Sequence, residues 1–343
     1  MNSPCPRSTR VKKAFYFLRG CAGISARALS SLKRIDGGIT RGGETLRTID
    51  RLHAGDIVTV TLPVETETVE PMDINIDVIY EDADLLAVNK SPFLAMHPTH
   101  NHQGDTLANA VAGHLQSEGK SAVFRCVGRL DKGTSGVVVC ALNRYAAARL
   151  SGNINKRYVA VVRGRFEGSG TINKPIYRPD PMKTLRACGD MPGSESAVTH
   201  WESLYSSDEY SLLSLTLETG RTHQIRVHFA SMGAPLAGDT MYGAPENEIG
   251  HHLLHCAECG FIHPALGEEI RLSAPLRRIF SISAAASFRR MCWLNIQLCM
   301  NKMHIYRQND RKTPKTMKKY SIKPCILKIW CYNTVIKSNR RKT

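Results

Sequence analysis

The chain has 343 residues, of which 46 are Lys or Arg and 30 are Asp or Glu, for a formal net charge of +16. Its 42% apolar content is ordinary for a soluble protein, and no run approaches the roughly 18 consecutive apolar residues of a membrane helix. Eleven scattered cysteines and no signal-type apolar run across Met1–Arg7 point to reduced thiols and a cytoplasmic location, not to a disulfide framework.

In chain order, Phe15–Arg19 and Ser25–Arg34 read as two short helices, the second with a serine cap. After Gly37-Gly38-Ile39, the segment Asp50–Asp56 turns into the alternating strand Ile57–Leu62. Val64–Pro71 is acidic, ends in proline and lacks a helical stripe, so a domain boundary is placed there. From Ile79 onward, short strands and turns such as Leu85–Val88 alternate with helical stretches such as Thr106 to Gln116. That ordering predicts an α+β domain, without an internal repeat.

The segment Gly128-Arg129-Leu130-Asp131-Lys132-Gly133-Thr134-Ser135-Gly136 runs straight into the β-branched stretch Val137–Leu142. An Asp in a turn is ordinarily a surface residue, but here one acid stands at the mouth of a sheet beside polar turn groups. Before it lie Asn89-Lys90-Ser91-Pro92, Met96-His97-Pro98 and Gly104-Asp105-Thr106-Leu107; after it lie Asn155–Ala160 and Glu218–Ala230, the latter containing Thr219-Gly220-Arg221-Thr222-His223-Gln224-Ile225-Arg226-Val227-His228. Gly233, Pro235, Gly238-Asp239, Tyr242-Gly243, Leu254-His255, His263-Pro264 and Ala274-Pro275-Leu276 follow. Cys256 and Cys259 beside His251, His252 and His255 form one Cys-x-x-Cys pair without a second at finger spacing, a weak zinc signal, so no metal is expected.

The charge is uneven. Residues 288–343 hold fifteen of the basic residues and one acid, Asp310, leaving 31 basic against 29 acidic residues in 1–287. An RNA-binding surface on the body would therefore depend on local clustering. The tail, with Trp293, Tyr306, Tyr320, Trp330 and Tyr332 among its cations, reads either as a nonspecific RNA-binding extension or as one without a role; the abrupt change in composition favours the second.

Taken in order, these blocks resemble the signatures of the RluA/RluD family of RNA pseudouridine synthases, across about 200 residues. The resemblance implies an α+β pseudouridine synthase fold, with a mixed, mostly antiparallel curved sheet and flanking helices, and isomerisation of uridine without a cofactor. It assigns Asp131 as the essential carboxylate, Arg226 as its charge partner, and Tyr158 as proton acceptor or stacking wall. It further implies RNA contacts from Arg129, Thr134, His97, Arg221, His223 and Gln224, with Arg129 placed to fill the space of a flipped-out base. Gly128 departs from the family's usual histidine. The N-terminal stretch is similar to the small αL RNA-binding motif of a ribosomal protein, with Arg41-Gly42-Gly43-Glu44 in place of its usual Asn-Gly turn; Arg27, Lys33 and Arg34 are its expected RNA contacts. The implied organisation is an αL-like α/β RNA-binding domain (1–65), a catalytic domain (66–286) and a basic tail (287–343). The expected partner is RNA, ribosomal or else transfer RNA, bound by a monomer that does not engage membranes. The rival reading is a non-catalytic ribosome-assembly factor on the same fold.

Overall fold

The run Ser135–Ala141 is buried along its whole length, so its apolar residues are continuous where a half-exposed strand would alternate. It lies inside a sheet with strands on both sides. In the computed structural model, which describes residues 12–53, 55–63, 69–99, 103–120, 123–246, 250–276 and 326–330, that sheet has ten strands. From one edge they run Ser169–Asn173, Val198–Ser206, Tyr210–Leu217, Asn155–Arg163, Leu254–Ile262, Ser135–Ala141, Leu85–Lys90 and Val78–Glu81. Glu269–Ser273 pairs with Leu254–Ile262, and Arg125–Val127 with Ser135–Ala141.

The sheet has a seam. Ser135–Ala141 and Leu254–Ile262 pair in parallel over only two positions, Ser135 with His255 and Gly136 with Cys256; every other pairing among the sheet's described strands is antiparallel. One hydrophobic core nevertheless runs under both halves, from Leu85, Val111 and Val138 to Leu213, Phe229 and Phe261. The helix Leu107–Ser117 packs Leu107, Val111 and Leu115 into it. Thr106 and Asn109 close the first turn of that helix as a reciprocal capping box. The short helix Gln224–Ala230 is buried at its first six residues, which makes it scaffold and not surface.

The N-terminal residues form a smaller cluster of their own. Leu18, Ile24, Leu29 and Leu32 pack on Ile39, Val58 and Val60. Ser25 caps Ala26–Leu32 by accepting from the Ala28 amide, and Ile57–Thr61 alternates between buried and half-buried residues as its sequence does. Tyr145 of the larger unit reaches this cluster, its hydroxyl 3.2 Å from the Ala22 carbonyl. Of the expected boundary at 64–71, residues 64–68 lie outside the described residues, as does most of the tail; Ile326–Trp330 is described as a strand antiparallel to Ile57–Thr61. No helix among the described residues is long and apolar enough to cross a membrane.

Candidate active site

The seam positions the acid. At Gly136 φ is +111°, and a Cβ there would stand 2.2 Å from the Cys256 carbonyl oxygen, so glycine alone lets the two strands touch. The turn just before it is anchored from the same facing strand and the loop leading to it. Thr134 Oγ1 lies 2.8 Å from His252 Nε2, and Ser135 Oγ 2.8 Å from His255 Nδ1. His255 Nε2 donates to the Ala274 carbonyl at 3.1 Å, which leaves Nδ1 to accept from the Ser135 hydroxyl. The Thr134 amide donates to the Asp131 carbonyl, and the Gly133 amide to that of Pro92. Asp131 thus stands on a braced turn with its side chain 28% exposed.

Its surroundings are charged. Asp131 Oδ2 is 3.5 Å from Arg226 Nη1 and 3.9 Å from His223 Nε2. Arg226 is itself held by a second acid: Nε donates to Asp239 Oδ2 at 2.7 Å and Nη2 to Oδ1 at 2.8 Å. This fork is buried, with Arg226 and Asp239 side chains 5% and 1% exposed. Burial works against the guanidinium charge, but the Asp239 pair outweighs it and raises the Arg226 pKa. The guanidinium carbon also lies 5.1 Å from the Tyr242 ring centroid. Arg226 therefore reaches Asp131 with the one end of its fork that Asp239 leaves over.

Tyr158, on Asn155–Arg163, is buried. Burial first, then the neighbouring Cys256 thiol and the Asp131 charge, push its pKa well above the ordinary phenol value, so it is a neutral phenol. To accept a proton it must first give up its own. Lys90, at the end of Leu85–Lys90, is fully buried, with Nζ donating to the Ser91 and Leu94 carbonyls, both at 2.8 Å. Burial brings its pKa down to about 7, against the pull of Asp131. Lys90, Asp239 and Tyr242 stood in the quoted motifs without a role; burial of a polar group marks the first two and contact with Arg226 and His223 the third, and sequence displays neither.

The expected RNA contacts divide. Arg129 is exposed beside Asp131, and Arg27, Lys33 and Arg34 are exposed on the N-terminal unit. His97 is half-buried edge-on to Phe124 at 5.2 Å, and burial first, then Arg129, lower its pKa. Arg221 is tied to Glu195 at 2.6 Å and to the Ser196 carbonyl. Thr134 and Gln224 are buried, and what their side chains meet is protein. Gln224 accepts from Thr219 and the Arg221 amide and donates to Val198 and Thr199. Both brace the site from beneath. Gly128 sits at φ +74° and its carbonyl accepts from Lys156 Nζ at 2.5 Å, a left-handed turn that a histidine would adopt only with strain.

Two groups of metal-type donors exist among the described residues, Glu81–His114–Glu118 and Asp82–Asp84–His263. Lys120 pairs with both carboxylates of the first. In the second, His263 accepts at Nδ1 from the Ala265 and Leu266 amides and donates from Nε2 to Asp82. Both are internally satisfied. The candidate site is a partly exposed carboxylate beside a neutral phenol and the Arg226 guanidinium.

Residues 84–231 match the family described as RNA pseudouridylate synthase. Over 266 residues the chain is 38% identical to an uncharacterized RNA pseudouridine synthase of Bacillus subtilis, YjbO, covering 75% of this chain and 93% of that one. It is 34% identical over 263 residues to the ribosomal large subunit pseudouridine synthase D of Vibrio vulnificus, covering 71% and 80%. Among solved structures, Human RNA Pseudouridylate Synthase Domain Containing 1 aligns at 25% identity and a TM-score of 0.49, over 66% of this chain and 95% of that one.

Proposed function

We propose, for a chain that belongs to the RNA pseudouridylate synthase family and so is an isomerase acting on RNA, a reaction carried by Asp131 on a uridine of ribosomal RNA. The reaction breaks the bond from ribose C1′ to uracil N1, turns the base, and joins C1′ to C5. The proton on C5 is lost and N1 gains one, so the product is an isomer and no electron acceptor is consumed. Asp131 engages C1′ as the N1 bond breaks. The observation that carries this reading is the setting of its carboxylate: Oδ2 faces Arg226 and His223 while the side chain stays 28% exposed. Tyr158, buried and within the electrostatic reach of Asp131, is assigned either to stack as a wall for the base or to relay the C5 proton.

The ribosomal substrate rests on one relative's name, ribosomal large subunit pseudouridine synthase D, and on the N-terminal unit with its exposed Arg27, Lys33 and Arg34. The target uridine must also be unstacked, at roughly a few kcal/mol, and Arg129, an exposed cation two residues before Asp131, is assigned to the vacated position.

The test is release of tritium from ribosomal and transfer RNA labelled at uracil C5. The intact protein is expected to release label from ribosomal RNA, and Asp131→Ala to release none while still binding it. Release by the variant at the intact protein's rate would remove Asp131 from the chemistry; release from transfer RNA alone would move the substrate; RNA binding without any release would favour an assembly factor.

A further inference from the structure

Among the described residues, His223 is the one non-glycine with positive φ, at 59°. Such backbone costs roughly 1–3 kcal/mol and persists where the surroundings impose it. What imposes it here is a chain of contacts around the ring. His223 Nδ1 lies 3.0 Å from the Tyr242 hydroxyl, with the two rings edge to face at 5.8 Å. That hydroxyl oxygen accepts the Arg186 backbone N–H at 3.1 Å. Arg186 adjoins the strand Ala187–Cys188, which pairs with Ile176–Tyr177. His223 Nε2 points the other way, 3.9 Å from Asp131 Oδ2, in a side chain only 10% exposed.

Two arguments place the imidazole proton on Nε2. The Tyr242 oxygen already accepts from Arg186, so its own hydrogen is free to go to Nδ1. The opposite tautomer would turn the bare lone pair of Nε2 toward the Asp131 carboxylate, which is repulsive. At 3.9 Å, however, Nε2–H is too far from Oδ2 for a hydrogen bond. A donor is thus held, oriented and unspent, beside the catalytic acid.

We propose that His223 donates its Nε2–H to a carbonyl oxygen of the departing uracil, and that Tyr242, with the Arg186 amide behind it, is the positioning residue that fixes this tautomer. The inference rests on the pseudouridine synthase reading given above. When the C1′–N1 bond breaks, its electron pair leaves with the base and spreads onto the uracil carbonyls. A preset N–H donor there stabilises the transition state more than the bound substrate. The donor must remain neutral, and its neighbours agree. Burial lowers the His223 pKa; Asp131 opposes this, Arg226 and Arg186 add to it, and Asp239 opposes it. Tyr242 is un-ionised, burial raising its pKa, and His252 is held neutral by burial and by Arg226.

Two substitutions separate a donor from a structural part. Gln places an N–H where Nε2 stands but tolerates left-handed backbone poorly, whereas Asn suits that backbone and reaches only to Nδ1. With tritiated ribosomal RNA, His223→Gln is expected to keep kcat within about 5-fold, and His223→Asn to lose roughly 100-fold in kcat at unchanged KM, the range seen for single oxyanion donors. Nitrogen-15 NMR of the full chain is expected to show one Nε2–H tautomer at His223, and a mixture in Tyr242→Phe. An Nδ1–H tautomer in the intact protein, or His223→Asn at least as active as His223→Gln, would overturn the proposal. Absence of tritium release from any RNA would instead remove the reaction on which it rests, leaving the tautomer to be decided by the spectrum.

Discussion

Arg226 looks from the motif like the partner of Asp131, but its principal bonds are to Asp239, at 2.7 and 2.8 Å against 3.5 Å to Asp131. Removing one member of a buried pair leaves the other uncompensated, at about 3–5 kcal/mol, whereas replacing both with apolar groups is often close to neutral. Arg226→Met is therefore expected to lose about 3–5 kcal/mol in urea unfolding, and adding Asp239→Leu to restore most of it. Neither variant regains turnover, since both lack the cation beside Asp131. Equal instability of the two would show that Asp239 is not the residue Arg226 holds in place. At this scale the motif marks Asp131 and Arg226, and the structure sets them 3.5 Å apart. The sequence was not legible for Asp239, Tyr242 and Lys90, whose roles come from contacts that spacing does not encode. Thr134 and Gln224 illustrate the reverse: polar residues in a binding motif invite a surface role, yet burial with every bond satisfied makes them scaffold.

Among elements, the decisive one is the two-residue parallel contact between Ser135–Ala141 and Leu254–Ile262. The β-branched run after Gly136 announced a strand. Nothing in the run disclosed which strand would lie beside it, 120 residues later. Gly136 is where that pairing is written, since a Cβ would meet Cys256 backbone at 2.2 to 2.7 Å. Strained φ and overpacking each cost about 1–3 kcal/mol. Gly136→Ala is thus expected to lose roughly 3 kcal/mol or more and, where it folds, to lose turnover through displacement of the Asp131 turn. Thermal unfolding within 1 °C of the parent would show that the seam can open without harm. By contrast the helix Gln224–Ala230 was read only as motif; its burial follows from the sheet it packs on.

For the whole molecule, electrostatics and catalysis are separately placed. The side chains assigned to the site lie between Lys90 and Tyr242, while the body as far as residue 287 is almost neutral and most of the excess charge lies beyond it. A nucleic-acid contact that uses phosphate-bound cations shows a steep fall with salt. Truncation after Ser287 is expected to leave kcat/KM on ribosomal RNA, and its slope against salt concentration, unchanged. A shallower slope would make the tail an RNA-binding arm. The described tail strand Ile326–Trp330 adds an edge to Ile57–Thr61, a pairing that no periodicity in the tail anticipated.

The buried Arg226–Asp239 fork has an evolutionary corollary. Because the shortest bonds of Arg226 go to Asp239, its buried charge keeps a partner when Asp131 is replaced, and the proposed catalytic acid can be lost without unfolding the protein around it. Activity and architecture are decoupled at a single codon. A lineage in which position 131 drifted would retain the fold with Arg226 and the exposed Arg129 in place, and selection could keep it as a binder of the same RNA it once modified.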